Sequence, residues 1–139
     1  MITIVQHVLD DVRAHADGES PRECCGMLIG AAGRIVEHVR ATNLAEGTTR
    51  FLIDPQDHIR ALRAARARGL DVVGFYHSHP RSRAYPSPTD VAECGYAGVL
   101  HLIAGRDDTG APEARLFTID GETIVEVAYA VATNDLPSP

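Results

Sequence analysis

The sequence predicts an α/β (α+β) fold, a mixed β-sheet flanked by helices, on three observations. Strand-type and helix-type segments alternate along part of the chain, which favours parallel strands joined by helical crossovers. At least two strand pairs are instead joined by short glycine-containing turns, which places antiparallel hairpins in the same sheet. The 139 residues, 45% of them hydrophobic, suit one domain that builds its own core.

The elements follow in order. Val5, Val8, Leu9 and Val12 recur at helical spacing from Val5 to about His15, and Asp17-Gly18 ends the pattern. Met27 to Gly30 and Arg34 to Val39 flank Ala31-Ala32-Gly33 and read as a hairpin, and Thr49 to Ile53 reads as a third short strand. Asp54 is an N-cap with Pro55 at the first helical position. Ile59, Leu62 and Ala65 then mark the buried face of a helix whose other side carries Arg60, Arg63 and Arg68. Gly69 closes this helix, and Leu70 packs back on its last turn. Asp71 to Tyr76 is a central strand, Ser87-Pro88 opens another helix, and Val99 to Ile103 is a strand followed by a turn at 106–110. Glu113 to Ile119 and Thr123 to Tyr129 form a final hairpin through Asp120-Gly121. One domain therefore spans 1–133, and the polar, proline-containing tail 134–139 is expected to fray.

Composition removes several function classes. The net charge is −6 and the cationic residues form no run, so a nucleic-acid footprint is absent. No apolar stretch approaches the roughly 18 residues that span a membrane, and the start of the chain lacks a basic segment followed by an apolar block. A soluble, cytoplasmic protein is expected. All 13 cationic residues are arginine, which fits GC-rich coding. The three cysteines Cys24, Cys25 and Cys94 make no disulfide framework and fit a reducing compartment, and the lack of Cys-x-x-Cys removes the common structural zinc spacings. Cys25 reads as a small core residue. Cys94, four positions after Asp90 and on the same helical face, reads as core packing or as a neighbour of a metal. His7, His15, His38, His58 and His101 lack ligand spacing and are assigned to surface or half-buried positions.

The chemistry concentrates in residues 74–90. Val72 to Tyr76 is an apolar strand run, and alternate side chains on a strand share a face, so His77 and His79 point the same way. Pro80 cannot continue a ladder, which leaves both imidazoles at the carboxyl end of the strand, at a sheet edge or mouth. Ser87 as N-cap and Pro88 as first helical residue put Asp90 in the first helical turn, where the dipole favours an ionised carboxylate. Two imidazoles and one carboxylate make a three-ligand Zn2+ set with a fourth position open to water, the catalytic kind. Each residue alone has a plainer reading: a half-buried polar pair, a cap, and a charge complementing the dipole. The joint spacing is what separates the two readings.

His77-Ser78-His79-Pro80 followed by Pro86-Ser87-Pro88-Thr89-Asp90 resembles the signature of the JAMM metalloproteases, the catalytically active MPN domains. Upstream, Glu23-Cys24-Cys25-Gly26 is similar to that family's glutamate-bearing opening strand. The resemblance implies the MPN fold, a curved mixed sheet related in outline to the cytidine deaminases. It implies zinc on His77, His79 and Asp90, Glu23 as general base, and Ser87 as hydrogen-bond donor to the oxyanion. As an N-cap, Ser87 only accepts a hydrogen bond, so its proton stays free for that task.

The implied reaction is hydrolysis of the bond after the carboxyl-terminal Gly-Gly of a ubiquitin-like or sulfur-carrier protein, whose extended tail could add as a strand to a sheet edge beside the metal. A chain little longer than the core domain fits a prokaryotic carrier better than ubiquitin chains. Arg81 and Arg83 stand between the motifs, as partner contacts or as ordinary loop charges. A zinc hydrolase of a small-molecule amide or thioester, and a metal-free MPN-type scaffold, are the alternatives.

Overall fold

A computed structural model describes residues 1–94 and 98–133, so the expected frayed tail lies outside the described residues. Eight strands form one mixed sheet: β1 (Ile2–Val5), β2 (Cys25–Ala31), β3 (Arg34–Ala41), β4 (Asp71–Ser78), β5 (Leu100–Arg106), β6 (Pro112–Asp120), β7 (Thr123–Val127) and β8 (Tyr129–Ala132). Their order is β7-β6-β5-β4-β2-β3-β1-β8. Three helices join them: α1 (Gln6–Glu19), α2 (Pro55–Arg66) and α3 (Pro88–Glu93). The pairs β1–β3, β1–β8 and β4–β5 are parallel, and the hairpins β2–β3, β5–β6 and β6–β7 are antiparallel, so the expected mixed sheet is present. The edge strands β7 and β8 are separated only by Ala128, so the two edges approach each other and the sheet curls.

Several elements depart from the sequence reading. Ile2 to Val5 form a strand where only a helix was expected, because four residues are too few for a period to show before the helix begins. The segment read as one strand from Thr123 to Tyr129 breaks at Ala128, and the residues beyond it pair with β1 instead of β6. Thr49 to Ile53 is no strand; it keeps one isolated bridge, Asn43 to Ile53. Its backbone is held partly by a side chain, since Asn43 Oδ1 accepts from Leu52 N at 2.9 Å and Asn43 Nδ2 donates to Arg50 O at 3.2 Å, beside one backbone bond from Leu44 N to Leu52 O at 2.8 Å.

Apolar side chains fill both faces of the sheet. On one face Val8, Val12 and Ala16 of α1 pack over Leu28, Tyr76, Leu102 and Leu116. On the other, Ala61 and Ala65 of α2 lie on Met27, Ile29 and Phe75. A fully buried Leu or Met contributes about 1.5–3 kcal/mol, so these layers supply most of the drive to fold. The buried face of α2 is set by its two alanines, whose small side chains let the helix approach the sheet. Ile59, expected inside, is 49% exposed. Among the described residues no helix is long and apolar enough to cross a membrane.

His15 and His101 are buried, against the surface or half-buried positions expected of them. His15 turns inward from α1 because Tyr76, itself fully buried, needs a partner: the hydroxyl lies 2.8 Å from His15 Nδ1. Burial lowers the affinity of His15 for a proton below the ordinary value of 6.5, and the Arg40 charge adds to this; burial lowers His38 in the same way. The unfolded chain then binds protons that the folded chain refuses, so stability is full above 6.5 and falls as the pH drops below it. The wild-type advantage over His15→Gln in urea midpoint should be smaller at pH 5.5 than at pH 7.5. An advantage equal at the two pH values would refute burial of His15 as the cause.

Candidate metal centre

Four side chains from three parts of the chain meet at the carboxyl end of β4. His77 and His79 alternate along that strand and share a face, as the period of two requires. Their Nε2 atoms are 3.2 Å apart, and each lies 3.0 Å from Asp90 Oδ2. Tetrahedral zinc with bonds of about 2.0–2.1 Å needs donor-to-donor edges of about 3.3 Å, so the triangle has the size of one face of such a shell. Glu23 completes the group, and one donor atom from each residue lies within 4.8 Å of all the others. Glu23 Oε1 is buried without a hydrogen-bond partner. A buried carboxylate oxygen left unpaired is costly unless a cation or a reacting proton is its natural partner. On size, donor chemistry and the orphaned oxygen, these residues fit a zinc ion.

The neighbouring structure explains why they meet. Glu23 precedes β2, whose Cys25 pairs with His77 across the antiparallel ladder. Ser78 locks that register: its hydroxyl accepts from Cys24 N at 2.8 Å, and its own N donates to Cys24 O at 3.1 Å. Ser87 caps α3 as expected, accepting from Asp90 N at 3.0 Å, while Ser87 N donates to Asp90 Oδ2 at 2.9 Å. That reciprocal cap aims the carboxylate at the histidines. His79 Nδ1 donates to Arg83 O at 2.9 Å, which fixes the tautomer and leaves Nε2 as the free donor. The histidines sit deeper than an edge or mouth: His77 is 3% and His79 6% exposed, and β4 is flanked by β2 and β5. Among the described residues, no free strand edge lies beside them for a peptide tail.

The charges are arranged accordingly. Burial pushes Glu23 up to about 7, opposed by His79 and reinforced by Asp90. Burial would also raise Asp90, but hydrogen bonds from His77 and His79 hold it far below the usual carboxylate range. Burial lowers His77, whereas at His79 the contacts with Asp90 and the Arg83 carbonyl outweigh burial and raise it.

The sequence reading missed three supports. Phe51, read as a strand residue, stacks on the His77 ring with centroids 4.2 Å apart and planes at 19°. Asn43 Nδ2 also donates to Glu23 O at 3.0 Å. Arg83 supplies the carbonyl that holds His79. Only Asn43, a residue type that often organises loops, carried any local signal.

Two hollows flank the histidines and Asp90, and a third, of about 370 Å³, reaches only Glu23 of the four. One, of about 270 Å³, is mainly apolar and includes Phe51, Ile53, Phe75 and Cys94, with His77 and Asp90 in its wall. Cys94 is thus half-buried near the donor group, with Sγ 3.6 Å from Nε2 of His101, which burial lowers to about 4. The other, of about 450 Å³, is lined by Glu23, His79, Ser87, Thr48, Thr49 and Arg81.

Fold and donor set together define a hydrolase of the JAMM type. Residues 5–120 match the family described as prokaryotic homologs of the JAB domain, and the chain belongs to that family. It is 35% identical to the desampylase of Haloferax volcanii over 89% of this chain and 88% of that one. It is 28% identical to the CysO-cysteine peptidase of Mycobacterium tuberculosis over 91% and 88% of the two chains. In fold it is similar to a JAB1/MPN domain protein from Archaeoglobus fulgidus, with a TM-score of 0.61 at 22% identity over 95% and 97% of the two chains.

Proposed function

We propose that residues 1–133 form one zinc-dependent protease domain that hydrolyses the bond following the carboxyl-terminal Gly-Gly of a ubiquitin-like or sulfur-carrier protein. The observation that carries this reading is the buried, unpartnered Glu23 Oε1 beside three convergent donors. The names of the two relatives, a desampylase and a CysO-cysteine peptidase, support the substrate class.

His77, His79 and Asp90 would hold the zinc, which supplies a water made acidic to a pKa of about 7 and polarises the scissile carbonyl. Glu23 takes a proton from the attacking water and returns it to the nitrogen as the C–N bond breaks, leaving a glycine carboxylate and a free amine. Ser87 donates its free hydroxyl proton to the oxyanion, worth about 3 kcal/mol in comparable sites.

The test is zinc content of the wild type and of His77→Ala, with cleavage of a Gly-Gly-linked ubiquitin-like conjugate by both. One zinc per chain with cleavage, both lost in the variant, is the expected result. A wild type that takes up no added zinc overturns the metalloprotease reading in favour of a scaffold. Zinc without cleavage overturns the substrate class and leaves hydrolysis of a different amide or thioester.

A further inference from the structure

We propose that Arg81 binds a carboxylate on the leaving-group side of the scissile bond, so that the site prefers a carrier whose Gly-Gly end is joined to a free amino acid. This inference rests on the hydrolytic reading above and adds a specificity to it.

Two arginines stand on the loop between β4 and α3, and they are used differently. Arg83 is committed: its guanidinium pairs with Glu113 at 2.8 Å and Asp108 at 3.2 Å, and its carbonyl holds His79. Arg81 is exposed and has neither ion pair nor hydrogen bond among the described residues. It lines the same hollow as Glu23, His79 and Ser87.

Proton transfer decides which hollow receives the leaving group. Glu23 must return a proton to the departing nitrogen, so that nitrogen lies within hydrogen-bond reach of Glu23; Glu23 also lines a polar hollow with Arg22 and Arg40, but His79 and Ser87 share only the hollow that holds Arg81, which places the reacting bond there. Whatever is attached to the nitrogen then extends toward Arg81. If the leaving group is an amino acid, its α-carboxylate is two bonds from the nitrogen and enters this hollow. If it is a lysine side chain, an uncharged methylene takes that place. A guanidinium fork matches a carboxylate through two parallel hydrogen bonds, and among the described residues no acid forms an ion pair with Arg81. The apolar hollow on the other side has no arginine in its wall, and its Glu93 is paired with Arg50 at 3.0 Å, so it offers the same carboxylate no free cationic partner.

The experiment uses the zinc-loaded full chain and one carrier, a ubiquitin-like protein ending in Gly-Gly and extended by a single alanine. The alanine is supplied once as the free acid and once as the carboxamide. Wild type should cleave the free acid with a kcat/KM about tenfold higher. Arg81→Ala should bring the ratio close to one, mainly through a higher KM for the acid, and Arg81→Lys should fall between. Arg63→Ala, on the outer face of α2, should keep the wild-type ratio. Equal rates for acid and amide in the wild type, or an undiminished ratio in Arg81→Ala, overturn the role of Arg81 and leave the hydrolytic reading standing. Cleavage of neither carrier overturns that reading and this inference with it.

Discussion

Glu23→Gln should lower the kcat for carrier cleavage by about 10²- to 10⁴-fold while the protein still holds one zinc per chain. The range is what a positioned general base contributes. Glutamine has the same shape and keeps the hydrogen bond from Asn43, because that bond is made to the backbone carbonyl of residue 23 and not to its side chain. What changes is the ability to take a proton. Burial cost should also ease, since the carboxylate with its unpartnered oxygen gives way to a neutral amide. The variant is therefore expected to unfold at an equal or higher temperature. Loss of zinc together with loss of activity would instead make Glu23 a ligand, and retained activity would remove it from the chemistry.

Asp90→Asn should weaken zinc binding by at least about 100-fold, more than the loss of an outer hydrogen bond to a ligand usually costs. One oxygen of this carboxylate faces both imidazoles at 3.0 Å and also accepts from Ser87 N at 2.9 Å. An amide oxygen can still serve the cap, but it carries no charge for the metal. Chelation then separates the two roles. A ligand that binds only the folded state at 1,000 times its Kd adds about 4 kcal/mol of stability, so stripping zinc should lower the wild-type melting temperature by many degrees. The same chelator should leave Asp90→Asn nearly unmoved. An equal shift in both proteins would mean that Asp90 is not a ligand.

How much of this centre could be read from sequence depended on how local its causes are. His77, His79, Ser87 and Asp90 obey rules that act over a few residues: alternation on a strand, a serine-proline helix start and a first-turn carboxylate. Glu23 was legible only through resemblance, since what brings it to His79 is the β2–β4 register and the Ser78 lock, more than fifty residues away in the chain. Phe51 was misplaced for a similar reason. Phe51-Leu52-Ile53 has strand composition, yet Asn43 takes its backbone hydrogen bonds and makes it a loop. The sheet was foreseen as mixed, but β1 and β8 were not, because each is four residues long and finds its partners at the far ends of the chain. His15 and His101 read as surface or half-buried residues because nothing near them in sequence announces Tyr76 or the apolar hollow.

The pairing of β1 with β8 has a consequence for how the protein is made. β1 is bordered on one side by β8, and six other strands lie between the two in the chain, so that border is filled only after those strands have been made. Until then Ile2 to Val5 present unpaired backbone groups and apolar side chains along an open margin. Pairing at this margin therefore follows the making of β2 to β7, and a nascent chain halted after β7 would carry a complete set of metal ligands on a sheet in which β1 is an exposed edge.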